Sequence, residues 1–464
     1  MSTPRIVIIG AGISGLSAAL YLKRRNFTNI TILEKAAVPG GKIATLHHEG
    51  LIIERGADSF LAKKQAMLDL AADLGLSDQL VGTSPSAKHV YIAGEHKLHP
   101  FPKGLRLAIP SDIGAILRTP TLTPFAKLRV LADLLLPGAK HNPSIEDESL
   151  GQLLTRRFGQ AFAEQIAEPI LAGIYAGDLD KISVQATFPQ FAEMERCSGS
   201  LIRAMRKQLR AEQQEARIQS MFLAFRGGFS QLTSELLNQL TDVELHCGCA
   251  VERISGEGPY LVRDAAGNEW QADELIVTVP SFSARKLFAP LADIPFFQHI
   301  EHVSVANVIF AFDKQSGIRL PEGSGFLVPR RLNKLTTACT WTSNKWTHTA
   351  PDGSVLLRAY VGRDGQQNWQ RFTDEQLTSE VLAELRDWMD IPGEPTFIDV
   401  NRWPLAMPQY APGHRQRLQA MRDFVGQKHP NFRLIGASYD AVGLPDCVLH
   451  ARQAAFAIAD TYRE

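Results

Sequence analysis

Three observations in the 464-residue chain predict an α/β fold built on a parallel, dinucleotide-binding sheet. "RIVIIG" (5–10) is a continuous apolar run, as a strand buried on both faces requires. Gly10, Gly12 and Gly15 follow it as G-x-G-x-x-G and open a helical pattern. "NITILEK" (29–35) is a second strand, carrying Glu34 at its end about 20 residues past the last glycine.

Each element has a physical reason. The first glycine permits the tight turn, the second lets backbone approach a pyrophosphate, and the third lets helix and strand pack closely. "SGLSAALYLKRRN" places Leu16, Ala19, Leu20 and Leu22 at helical spacing, so the N–H groups and dipole of this helix face the phosphates. A carboxylate at Glu34 can accept hydrogen bonds from both ribose hydroxyls, and its charge argues against a 2′-phosphate and hence against NADP. "VPGGK" (38–42) and "IERGADSF" (53–60) come next, with paired glycines and a cation suited to a cofactor that extends past the pyrophosphate.

Farther along, "HVYIAGEHKLHPFP" reads as two short strands around a Gly-Glu turn. Residues 111–180 are helical in pattern, with Thr123-Pro124 as a cap and first-turn proline. "FLAFRGGFSQLTSELLNQL" is a turn and helix, and strands run to "ADELIVTVP". "VSVANVIFAFD" and "SVLLRAYVG" alternate as strands, a helix is expected near 373–389, and "FRLIG" brings a strand back near the end. A chain of this length exceeds one core, and the interleaving predicts domains made of discontinuous segments.

Composition removes several function classes. Lys plus Arg equals Asp plus Glu, 49 each, so no basic excess points to nucleic acid. The five cysteines are scattered; Cys247 and Cys249 are expected on one side of a strand, as reduced thiols, and no histidine cluster completes a zinc site. "MSTPRIVIIG" enters a strand directly, which argues against a secretory leader, and no apolar stretch approaches the roughly 20 residues of a membrane span. The expected location is cytoplasmic.

The G-G-Lys and E-x-G segments resemble glutathione-reductase-type flavoproteins of the amine oxidase and porphyrinogen oxidase group. "PILAGIYAGD" (169–178), "FRGGF" (225–229), "WPLAMPQY" (403–410) and "GASYDAVGLPDC" (436–447) make the chain similar, in order and over its whole length, to porphyrinogen oxidases of the Gram-positive bacterial type. The resemblance implies FAD on a Rossmann-like domain from 1–84, 221–281 and 431–464. It also implies a mixed-sheet substrate domain from 85–110 and 282–430, and a helical domain, 111–220, able to touch a membrane surface. By the same resemblance Gly10, Ala11, Gly12, Ile13, Ser14 and Gly15 hold the pyrophosphate, and Glu34 with Lys35 the adenosine ribose. Gly41 and Lys42 serve the phosphate side, and Gly56, Ala57, Asp58 and Ser59 pass the ribityl chain and flavin. Val251 offers backbone to adenine, and Trp403, Gly436, Val442, Gly443 and Leu444 lie toward the isoalloxazine. Ala57 stands where many relatives have proline. Lys88 would meet a substrate propionate, with Ile174 and Tyr175 as an apolar pocket wall; a solvated lysine and ordinary core packing are the competing readings. Lys63 and Lys64 read as solvated.

The implied activity is oxidation of coproporphyrinogen III by O₂, with no protein nucleophile or acid–base constellation needed. Protoporphyrinogen IX is the alternative substrate, and a flavin amine oxidase a more distant one. A non-catalytic binder on the same scaffold would leave Glu34 and the glycine turn unexplained. "TPFAKLRVLADLLL" puts Phe125, Leu128, Leu131 and Leu135 on one face, a pattern shared by packed and membrane-contacting helices. Ferrochelatase as product acceptor and a homodimer are implied by the family alone.

Overall fold

The N-terminal apolar run forms strand β1 (Ile6–Ile9), buried at every position, and the next run forms β2 (Ile30–Glu34), also fully buried. In the computed structural model, residues 4–102, 104–138, 147–214, 220–289, 291, 294–440 and 442–462 are described. With β3 (Glu244–Cys247), β4 (Glu274–Val277) and β5 (Phe432–Leu434) these strands make a five-stranded sheet in the order β3-β2-β1-β4-β5. Every pairing is parallel, with Ile6 opposite Ile30 and Glu274, and Val277 opposite Leu434. The order reverses at β1, whose carboxyl end is therefore the crevice where open α/β sheets bind ligands.

Helix α1 (Ile13–Lys23) connects β1 to β2 and is buried from Ile13 through Leu22, as a helix enclosed on all sides must be. Helix α2 (Leu444–Thr461) follows β5 and packs along α1. "FRLIG" thus returns to the sheet begun by "RIVIIG", separated from it by β4.

The chain divides into two units: Met1–Gly82, Ser220–Ile300 and Arg415–Glu464 form the first, Thr83–Gln219 and Glu301–His414 the second. Residues 282–300 and 415–430, assigned from sequence to the substrate domain, pack instead in the first unit. Ala284, Leu287, Phe288, Phe296, Phe297, Leu418, Met421 and Val425 share one core with Val7, Ile9 and Leu275. Such long-range packing has no local sequence signature.

The second unit holds a seven-stranded sheet in the order 397–409, 301–312, 355–361, 336–341, 325–327, 91–93, 98–100. Its pairings are antiparallel except that of Gly325–Leu327 with Tyr91–Ala93. Helix Asp374–Trp388 starts on a Thr373–Gln376 capping box and buries Leu377, Val381 and Leu385 against Val308, Phe310 and Leu357. The helical segment 113–214 belongs to the same unit. Its interior is tied by Arg157, 1% exposed, which donates to Asp133 Oδ1 (2.6 Å), Glu195 Oε1 (3.3 Å) and the carbonyls of Asp133, Pro137 and Gly199.

Cys247 is exposed and Cys249 buried, contrary to the expectation of one shared face. Gly248 at φ +70 ends the strand between them and breaks its alternation. All five cysteines are free, and among the described residues no group of His, Cys, Asp and Glu could hold a metal.

Candidate functional site

The glycine turn lies at the carboxyl end of β1. Gly10 has φ +106, and a Cβ there would stand 2.5 Å from Thr278 Oγ1. A Cβ on Gly15 would come within 1.9 Å of the Gly10 carbonyl oxygen, so α1 can approach the strand only without one. Gly12, the N-cap of α1, has no side chain to cap the first-turn N–H groups. A Cβ on Gly12 would meet nothing closer than Gly41 Cα at 3.9 Å. Gly41 (φ +62) and Gly40 (φ +123) lie against this turn, and the Gly40 N–H donates to the Ala11 carbonyl at 2.9 Å.

Glu34 is buried, and its carboxylate organises the turn. Oε2 accepts from the Ala11 N–H (2.7 Å) and Oε1 from the Ala36 N–H (2.8 Å). Each oxygen retains a second lone pair for a ribose hydroxyl. The backbone beyond β3 joins the same corner: Gly248 N–H donates to the Ala36 carbonyl (2.9 Å) and Cys249 N–H to that of Glu34 (2.8 Å). That places Val251, half-buried at the start of its strand, two residues from the Glu34 contact. Lys35 is exposed.

Lys42 follows the paired glycines. It is exposed at its surface side, and partial desolvation by the surrounding protein lowers its pKa. Gly56 crosses the Lys42 backbone so closely that a Cβ would stand 1.8 Å from the Lys42 carbonyl oxygen. Ala57, Asp58 and Ser59 are half-buried beyond it, and the Ser59 hydroxyl donates to Asp58 Oδ1 at 2.9 Å.

The C-terminal turn converges on the same helix. Gly436 (φ +116) lies where a Cβ would be 3.3 Å from the Thr278 carbonyl and 3.6 Å from Ser14 Oγ. Gly443 is the N-cap of α2, Val442 and Leu444 are half-buried, and Cys447 in the first turn of α2 hydrogen-bonds the Ser14 hydroxyl. Burial pushes the Cys447 thiol up to about 11, so it stays neutral between the two helix starts. Lys64 is not a free solvated lysine: its ammonium pairs with Asp446 Oδ1 at 2.5 Å. Thr278, Cys447 and the Lys64–Asp446 pair were missed by sequence reasoning, because each acquires its role only through a distant partner.

An extended dinucleotide fits these residues: an uncapped helix start, a cradle kept open by Gly12 and Gly41, a buried carboxylate with spare acceptors, and a cation beyond the turn. A model of flavin containing amine oxidoreductases matches residues 13–459. The chain belongs to the flavin-containing amine oxidoreductase family. Coproporphyrinogen III oxidase of Bacillus subtilis (strain 168) is 38% identical over 452 residues, 96% of this chain and 95% of that protein. The enzyme of the same name from Staphylococcus aureus is 35% identical, covering 98% of each chain. A crystal structure from Exiguobacterium sp. 255-15, assigned provisionally as a protoporphyrinogen oxidase, superposes with a TM-score of 0.90 at 36% identity, covering 99% and 100% of the chains. Membership in the flavin-containing amine oxidoreductase family makes FAD the cofactor and the chain an oxidoreductase.

The remaining candidates lie in the second unit. Lys88 is exposed at the end of a short turn, Pro85–Lys88, ahead of strand Tyr91–Ala93. Helix Glu168–Tyr175 carries the two wall candidates, which differ sharply in exposure. Ile174 is 44% exposed, whereas Tyr175 is buried against Phe188 and Tyr410. Trp403 is half-buried in strand Phe397–Gln409, opposite Val305 and beside a bulge. Two residues on in the same strand, Leu405 sits at φ +48, and its N–H donates to Ser304 Oγ (3.0 Å).

Proposed function

We propose that this protein oxidises coproporphyrinogen III to coproporphyrin III, with three O₂ reduced to three H₂O₂. The observation that carries the reading is near-complete alignment with two coproporphyrinogen III oxidases, at 38% and 35% identity. FAD, when bound, would take a hydride per cycle while a second proton leaves a pyrrole nitrogen, and O₂ would take up the two electrons and two protons as H₂O₂, so three cycles remove six electrons and six protons. The chain's own duties are to hold the cofactor and orient the macrocycle. The Gly10–Gly15 turn, Glu34, Lys42 and the 56–59 segment bind the cofactor, and Val251 adds backbone at the adenosine end. Family resemblance assigns Gly436 and Val442–Leu444 to its ring, with Trp403 as a further candidate. Ile174 offers an apolar face to the macrocycle, Tyr175 backs it, and Lys88 offers a cation to a propionate.

The provisional assignment of the Exiguobacterium structure favours protoporphyrinogen IX as a second reading. Coproporphyrinogen III carries four propionates and protoporphyrinogen IX two, so the purified enzyme's kcat/KM on each decides between them. A higher value for protoporphyrinogen IX refutes the first assignment.

Peripheral contact with a membrane completes the proposal. Phe125, Leu128 and Leu135 are 81%, 66% and 88% exposed, whereas Ala126 and Val130 face the interior. Three of the four residues of the apolar face expected from sequence are thus exposed and Leu131 is half-buried, which suits a surface-lying segment. No helix among the described residues is long and apolar enough to cross a membrane. A ferrochelatase as product acceptor, a homodimer and a cytoplasmic location belong to the same reading by family resemblance.

A further inference from the structure

Helix Glu168–Tyr175, which presents Ile174, is bracketed by two departures from regular geometry. Immediately before it, Ala163–Ala167 forms a π-turn; immediately after it, Ala176 adopts φ +50. π-turns are rare within helices and concentrate at functional sites, and a non-glycine residue in the left-handed region persists only where its surroundings impose it.

A charge cluster of buried Glu168 and Arg363 with half-buried Arg330 ties both ends of the helix. The Glu168 carboxylate accepts from the Arg330 backbone N–H at Oε2 (3.3 Å) and faces Arg330 Nε (3.4 Å) and Arg363 Nη1 (3.6 Å) through Oε1. Arg330 then reaches past the other end of the helix, donating to the carbonyls of Gly177 (2.9 Å) and Asp364 (2.7 Å). The Asp364 N–H donates to the Ala176 carbonyl (2.8 Å), and Gln409 Nε2 to that of Tyr175 (2.9 Å). Both ends of this short helix are therefore fastened to the turns that follow strands Gly325–Leu327 and Val355–Val361.

We infer that the Glu168–Arg330–Arg363 cluster positions helix Glu168–Tyr175 so that Ile174 meets the porphyrinogen, making Glu168 a positioning residue for the proposed reaction. The inference rests on that reaction. Ile174 lies six residues beyond Glu168, about 120° round the helix, so anchoring Glu168 inward directs Ile174 outward. Glu168 and Arg363 are 7% and 5% exposed, and Arg363 Nε and Nη2 have no hydrogen-bond partner among the described residues. Core packing alone would be served as well by apolar residues; a charged anchor instead selects one orientation of the helix.

Glu168→Gln keeps the shape and removes the charge. The holoenzyme variant should show an apparent KM for coproporphyrinogen III raised about fivefold or more, with kcat within about twofold. FAD content and flavin absorption should match wild type, and amide exchange of residues 174–178 should quicken relative to the rest of the unit. Arg363→Lys, which keeps the cation but not the fork, should give a smaller rise and serves if Glu168→Gln does not fold. An unaltered KM in either folded variant overturns the inference, as does a loss of kcat and FAD in proportion to KM. Wild-type protein inactive on porphyrinogens would sink the reaction itself, whereas an active wild type with an unaffected variant sinks only the positioning role.

Discussion

Replacing Glu34 by alanine tests the candidate cofactor site at its buried carboxylate. In the folded chain the carboxylate satisfies two backbone donors, Ala11 N–H at 2.7 Å and Ala36 N–H at 2.8 Å. Alanine leaves both without a partner, and an unsatisfied buried donor costs about 1–3 kcal/mol. Water entering the space left behind recovers part of this, so the cofactor-free protein should lose about 2–4 kcal/mol of unfolding free energy. FAD should lose the charge-assisted bonds to its ribose in addition, weakening binding by about 1–3 kcal/mol. Glu34→Gln restores the shape but turns an amide N–H toward one of the two donors, so it should rescue only part of either loss. Urea unfolding of the cofactor-free protein and fluorescence titration with FAD separate the two effects. An unchanged denaturation midpoint would show that the carboxylate does not organise the turn. Unchanged FAD affinity would refute the ribose assignment.

Arg157→Met strips the cation from Asp133, which is fully buried, and should destabilise the protein by about 3–5 kcal/mol; a loss below about 1 kcal/mol in urea would contradict the role given to this network. The triple change Phe125→Ser, Leu128→Ser, Leu135→Ser should abolish co-sedimentation with liposomes while altering stability by little, about 0.5 kcal/mol per exposed site. Equal sedimentation of both proteins would refute the membrane surface. Iodoacetamide at pH 9 should label Cys197 and Cys247 in the native protein, and Cys249, Cys339 and Cys447 only after unfolding. Native labelling of Cys447, whose thiol burial pushes up to about 11, would contradict its place between α1 and α2.

The parts of the site that were legible in the sequence are those whose chemistry is local. Gly10, Gly12, Gly15 and Glu34 are spaced by one βαβ unit, and the structure assembles them as that spacing requires. "FRLIG" and the turn at Gly443 were legible as a strand and helix start, and they return to the same sheet and pack on α1. What periodicity could not resolve is direction. The stripe Phe125, Leu128, Leu135 is equally a core face or an outward one, and only the rest of the fold turns it outward. Ile174 and Tyr175 are sequence neighbours of similar hydrophobic character, yet one is exposed and the other enclosed by aromatic rings. Glu168, Arg330 and Arg363 come from segments far apart in sequence, as do Lys64 and Asp446. Charges in such clusters look like solvated residues until the partners are known.

The central claim is that this flavoprotein oxidises a porphyrinogen with O₂. Purified holoenzyme given coproporphyrinogen III should release three H₂O₂ for each fluorescent coproporphyrin III formed, measured together by peroxide-coupled absorbance and porphyrin emission, and should release none with simple primary amines. Peroxide production on amines without porphyrin formation, or porphyrin formation no faster than without enzyme, would contradict the account.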